Sequence, residues 1–165
     1  MASTANEDVR IRSGTEDDVP LILAFIRKLA DYERLSHEFV TDEAVLRSTL
    51  FGENAVAETA LAFANDDPAG FAVYFRNFST FLGRPGIYLE DLFVEPAFRG
   101  KGIGKALLAH VAKTAVERGY PRLNWAVLDW NQPAIDFYKK LGAVVLDDWR
   151  ICRLSGESLE RLANI

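Results

Sequence analysis

The chain is poor in the residues that thiol and metal chemistry require: its 165 residues include one cysteine, one methionine and two histidines. Cys152 cannot form an internal disulfide, and His37 and His110 build no ligand cluster with it, so no metal is expected. Cys152 itself reads as a small buried residue in a strand. No Ser/His or Cys/His arrangement suggests a protein nucleophile. Apolar runs are also short, well below the ~20 residues that span a bilayer. The first eight residues, Met1 to Asp8, lack a basic region followed by an apolar core, so a soluble cytoplasmic protein with no membrane partner is expected. Basic excess is missing too. A net charge of −5 argues against a nucleic-acid partner and permits a small cationic one.

What is present is enough for a packed core: 49% hydrophobic residues in a length that suits a single domain over 1–165. Residues 9–12 alternate like a half-exposed strand. Thr15 and the acidic run Glu16, Asp17, Asp18 then open a helix to about Tyr32, with Val19, Leu21, Ile22, Phe25, Ile26 and Leu29 on its buried face. Thr41 opens a shorter helix through Leu50, with Asp42 and Glu43 in its first turn. Strands over 56–64 and 70–78 flank turn residues at 65–69 and pair antiparallel, and a further hairpin at 79–86 leads into a strand over 87–94. A helix over 102–118 buries Ile103, Leu107, Val111 and Ala115 and stops at Gly119. A strand over 123–128 follows, then a helix from Pro133, capped by Asn131 or Gln132 and ended by Gly142. Residues 143–146 and 149–154 read as strand, and 159–163 as a short helix. The order predicts a mixed α/β fold: a mostly antiparallel central sheet with helices on both faces and a late parallel crossover. No repeat or low-complexity tract interrupts it.

The most specific segment is Arg99-Gly100-Lys101-Gly102-Ile103-Gly104-Lys105, between a strand and an amphipathic helix. Glycines at alternate positions allow a tight turn and close approach of a bulky anion, and the helix start adds unpaired N–H groups and a positive dipole end. The spacing rejects two common phosphate ligands. A dinucleotide fingerprint needs glycine where Lys105 stands, and a P-loop needs Ser or Thr at Ala106 and glycine at Arg99.

Glu90 and Asp91 interrupt an apolar strand just before this turn. As neighbours on a strand they point to opposite faces, so a close carboxylate pair is not expected. One of them could attract a cationic amine and help deprotonate it; equally, both could be neutralised by nearby basic residues. Tyr138 lies between a helix start and stop, as a proton donor to a departing anion or as a core aromatic with a wet edge. Asn131 is first a turn or cap residue.

The 89–94 strand with the 99–104 turn, followed by Asn131-Gln132-Pro133-Ala134-Ile135-Asp136-Phe137-Tyr138-Lys139-Lys140-Leu141-Gly142-Ala143, resembles the GNAT superfamily of acetyl-CoA-dependent N-acetyltransferases. Within it the likeness is to the diamine (spermidine/spermine, thialysine) N-acetyltransferases and covers nearly the whole chain. The resemblance implies that Leu92, Phe93 and Val94 pair their backbone with the pantetheine arm and that Arg99, Gly100, Lys101, Gly102, Ile103, Gly104 and Lys105 hold the pyrophosphate. Asn131, Pro133 and Ala134 would contact the donor from the other side, Tyr138 would protonate the leaving thiolate, and Glu90 would sit at the amine. Tyr32 and Glu33 match the helix end near the amine in that family, with Asp91, Asp148 and Trp149 completing the acceptor side. The implied reaction is direct acetyl transfer in a ternary complex to a primary amine of a polyamine, diamine or lysine-like amino acid, by a homodimer. Acetylation of a protein N-terminus or lysine, and a CoA-binding regulator without chemistry, are the alternatives.

Overall fold

The computed structural model describes residues 8–165, so the start of the chain read above for a targeting signal lies outside the described residues apart from Asp8. Residues through Ala126 and residues Val127–Ile165 form two compact units. The first unit carries one five-stranded sheet in sequential order, β1 (Val9–Ser13), β2 (Glu58–Ala64), β3 (Asp67–Ser79), β4 (Arg84–Val94) and β5 (Leu123–Trp125). All neighbours are antiparallel except β4 and β5, which run parallel and are joined by the crossover helix α3 (Ile103–Glu117).

Each face of the sheet has its own composition. Leu61, Phe63, Phe71, Val73 and Phe93 project to the face covered by α1 (Val19–Tyr32) and α2 (Glu43–Phe51), where they meet Val19, Ile22, Phe25, Leu29 and Leu46. The spacing of the four buried α1 residues is that of a single helical stripe, while Leu21 and Ile26 lie partly buried at its margins. The opposite face is paved with small residues: Ala60 pairs with Ala72 and Ala62 with Gly70. That paving lets α3 approach closely with Ile103, Leu107, Leu108, Val111 and Ala115 buried. At Gly70 a Cβ would fall 2.4 Å from the Phe93 carbonyl oxygen, so no larger residue fits there without moving the backbone.

Local chemistry explains the ends of these elements. Asp18 accepts from Arg12 Nη1 and Nη2 at 2.7 and 2.8 Å, from Thr15 N at 2.7 Å and from Thr15 Oγ1 at 2.8 Å, tying the end of β1 to the start of α1. The Arg12 hydrogen bonds hold the Asp18 carboxyl well below the usual carboxylate range. Asp42 is the cap of α2 and not part of its first turn, because its side chain accepts from Val45 N at 2.9 Å. Between β2 and β3 the loop is tighter than 65–69: only Asn65 and Asp66 turn, both with positive φ, and the strand resumes at Asp67. The hairpin expected at 79–86 joins β3 to β4.

In the second unit, α4 (Gln132–Lys140) forms as expected from its cap and its stop, and α5 (Gly156–Ala163) forms where a short helix is expected but begins three residues before 159. Three expectations fail there and at its border. β5 ends at Trp125 and does not reach 128, and residues 143–146 and 149–154 form no strand. Apolar alternation alone does not hold an extended chain; a strand needs a ladder partner for its N–H and C=O groups, and no described residue pairs with these. Cys152 accordingly is exposed and outside any strand.

Candidate functional site

The site in the first unit starts from an irregularity in β4. Leu89 pairs with Tyr74 and Asp91 with Val73, leaving Glu90 as an extra residue, a β-bulge. The bulge shifts the strand's phase. Before it, Ile87 and Leu89 are buried toward α3; beyond it, Asp91 and Phe93 share the α1 face with Val73 and Phe71, their register partners. Glu90 keeps the earlier phase of Tyr88, which pairs with Phe75 on the α1 face. The expectation that Glu90 and Asp91 point to opposite faces is therefore corrected: the extra residue brings both carboxylates to one face. A trace of this is present in the apolar pattern, where the step from Leu89 to Leu92 is three and not two.

Glu33, the C-terminal cap of α1, joins them. Burial, with Glu90 and Glu33 as like-charged neighbours, pushes the Asp91 carboxyl up to about 7, and burial also raises Glu33. A folded-state value above the unfolded one means that the native chain keeps a proton which the unfolded chain releases between about 4 and 7. Stability thus falls as pH rises through that window and stays lower above it. Asp91→Asn is expected to raise the melting temperature at pH 8 and to change it little near pH 4, where both side chains are neutral; thermal denaturation at the two pH values checks this.

The bulge also marks where the sheet opens. The parallel ladder to β5 runs Ile87–Leu123, Tyr88–Asn124, Leu89–Trp125 and stops, so from Asp91 to Val94 the strand has β3 on one side only. Glu95 N donates to Ala69 O at 2.9 Å, and by the alternation of an antiparallel ladder the Val94 carbonyl faces the open edge. There it accepts from Arg99 Nε at 2.9 Å.

Beyond a single turn of 3₁₀ helix at Pro96–Phe98, the glycine turn takes shape through backbone angles. Gly100 and Gly102 have φ of +77° and +83°, left-handed values that other residues adopt at a cost. Gly102 is the N-cap of α3, and Ala106 N makes the first intrahelical bond, to Gly102 O at 2.9 Å. The N–H groups of Ile103, Gly104 and Lys105 therefore belong to the first turn, which has no intrahelical acceptors, next to the positive end of the dipole. Three backbone donors, with Lys101 and Lys105 beside them, fit a diphosphate. The open edge of β4 beyond the bulge fits an extended amide-containing arm.

The residues of the second unit form their own arrangement. Asn131, 8% exposed, caps α4 by accepting from Ala134 N at 3.4 Å, with Pro133 in the first turn. Tyr138 stands on the last turn beside Phe137, ring centroids 5.3 Å apart, and Gly142 at φ +91° closes the helix behind it. Asp148 and Trp149 lie in an exposed turn.

Not legible beforehand was a brace between α1 and the segment after β4: the Lys28 ammonium pairs with the Glu95 carboxylate. The partners are 67 residues apart, and no linear signal connects them. Among the described residues no helix is long and apolar enough to cross a membrane, and no group of three or more His, Cys, Asp or Glu could hold a metal ion.

Comparison with known proteins agrees with this geometry. The acetyltransferase (GNAT) family model matches residues 25–143. The chain is 40% identical to the thialysine N-epsilon-acetyltransferase of Bos taurus, over 94% of this chain and 97% of that protein. It is 36% identical to the L-ornithine N5-acetyltransferase NATA1 of Arabidopsis thaliana, over 93% and 87%. Among solved structures, an integron cassette protein from the mobile metagenome of V. cholerae superposes with a TM-score of 0.79 at 28% identity, covering 95% of this chain and 98% of that one. With a mixed sheet, a glycine turn opening α3 and relatives matched over nearly their full length, the chain belongs to the GNAT family of acetyltransferases.

Proposed function

We propose that the chain transfers an acetyl group from acetyl-CoA directly to a primary amine of a small cationic metabolite, a diamine, polyamine or lysine-like amino acid. One observation carries the acceptor side: the β4 bulge turns Glu90 and Asp91 to one face, where Glu33 joins their field beside the unpaired strand edge. Three carboxylates together are costly unless a cation compensates them, and an amine substrate supplies that cation. Acetyl-CoA supplies the thioester carbonyl. In this reading the backbone of Leu92, Phe93 and Val94 aligns the pantetheine arm, and the turn from Arg99 to Lys105 takes the diphosphate on its N–H groups. Asn131, Pro133 and Ala134 hold the donor from α4. Tyr32, Glu33, Asp91, Asp148 and Trp149 bind the acceptor.

The chemistry balances without a protein nucleophile. Glu90, directly or through water, takes the proton that leaves the ammonium, and the neutral amine forms the new C–N bond. Backbone N–H donors of the open edge stabilise the tetrahedral oxyanion. As the C–S bond breaks, Tyr138 gives its proton to the thiolate and regains one, directly or through water, from the adduct nitrogen, which sheds it as the amide forms. We take the enzyme to act as a cytoplasmic homodimer; the exposed apolar side chains Val144, Leu146, Trp149 and Ile151 support a protein contact.

Initial rates with spermidine, putrescine, thialysine, lysine and ornithine, beside a lysine-containing peptide, test the reading. Turnover of at least one small diamine or amino acid well above the peptide is expected, with acceptor KM falling as pH rises through the Asp91 value of about 7. Faster turnover of the peptide moves the function to protein acetylation. CoA binding without turnover of any amine makes the chain a regulator.

A further inference from the structure

Arg99 belongs to the glycine turn by its backbone, yet its side chain points elsewhere. Nε donates to Val94 O on the open edge of β4 at 2.9 Å. The guanidinium carbon lies 4.9 Å from the centroid of the Tyr32 ring and 5.7 Å from that of Phe93. Tyr32 is the last residue of α1, and the next residue is Glu33 of the carboxylate group. One exposed side chain thus touches the edge expected to receive the donor's amide arm and the residue expected to face the amine.

The geometry points to Arg99 as a latch between the two substrate sites: its guanidinium holds the Val94 carbonyl and the Tyr32 ring together, and donor binding releases both. This rests on the donor reading given above. The physical conflict is local. The Val94 carbonyl sits on the edge that a pantetheine amide would occupy, so an incoming N–H competes with Arg99 Nε for the same oxygen. A diphosphate at the turn attracts the displaced guanidinium, which replaces a neutral carbonyl and an aromatic face with a charged partner. Tyr32 then loses its cation and the end of α1 relaxes around Glu33, making acceptor binding follow donor binding. Because such coupling is reciprocal, anything that opens the latch from the α1 side strengthens donor binding.

That reciprocity gives a test a merely structural role would not pass. Tyr32→Leu removes a ring that takes no part in holding the donor, and Tyr32 is 38% exposed, so the fold tolerates the change. Isothermal titration with coenzyme A alone is expected to show about two- to five-fold tighter binding in Tyr32→Leu than in the unaltered chain, the fold-change a surface cation–π contact corresponds to. Amide hydrogen exchange supplies the second readout: coenzyme A should increase exchange at residues 31–35 in the unaltered chain and leave it unchanged in Tyr32→Leu, where it is already high. Arg99→Lys keeps the charge but not the fork, and should show the same raised exchange before any ligand is added. Equal or weaker CoA binding by Tyr32→Leu, or exchange at 31–35 that falls on CoA binding, overturns the latch while leaving the donor reading intact. No CoA binding by the unaltered chain overturns the donor reading and the latch with it.

Discussion

Tyr138→Phe is expected to lower kcat by about 10²- to 10⁴-fold, the range that one positioned proton donor supplies, while coenzyme A binds as before. The substitution deletes a single oxygen. The ring stays beside Phe137 on the last turn of α4, and the helix keeps its Asn131 cap and its Gly142 closure, so the expected loss is chemical and not structural. In the proposed mechanism, loss of the phenol leaves the thiolate to depart as an anion or to take its proton from water, and the lost stabilisation exists only in the transition state. Steady-state rates give kcat, and calorimetry with coenzyme A checks that the donor site is intact. A series of acyl donors adds a discriminating readout: the phenylalanine variant should recover part of its rate with thiol leaving groups of lower pKa. An unchanged kcat removes Tyr138 from the mechanism.

Phe71→Ala is expected to cost about 3–5 kcal/mol of folding stability, the range for removing a fully buried phenylalanine. Phe71 has no exposed surface, stacks on Phe25 at 5.4 Å between centroids and meets Phe93 edge-on at 6.5 Å. It therefore joins α1, β3 and β4 at one point. Alanine leaves a hole that the backbone cannot close, because β3 is pinned on the other side by α3 packed on Gly70 and Ala72. Urea denaturation followed by tryptophan fluorescence measures the loss. Phe93 stands on the strand whose far edge is open, so the variant should also bind coenzyme A more weakly at temperatures where it is still folded.

How much of this was readable in advance differs by element. The buried stripe of α1, four of the five buried residues of α3, the Asn131 cap and the glycine turn all follow from spacing within a few residues, and all are present. Strand pairing through the two hairpins was also legible, because Asn65 and Asp66 adopt the positive φ their side chains tolerate. The carboxylate cluster was not. Its formation needs the extra residue at Glu90, and a bulge exists only relative to the partner strand that fails to match it. Residues 143–146 and 149–154 erred in the other direction: their alternation satisfied the strand pattern, but no described residue offers a ladder.

The sequence by itself determined the helices, the Asn131 cap, the left-handed glycines at 100 and 102 and thereby the family, since backbone angles and helical periodicity depend on neighbours a few residues away. Only the tertiary structure decided that Glu90 and Asp91 share a face with Glu33, that burial among them pushes the Asp91 carboxyl up to about 7, and that the Arg99 side chain reaches Val94 and Tyr32. Those properties arise from register, burial and the meeting of groups distant along the chain, and each depends on packing that no local pattern specifies.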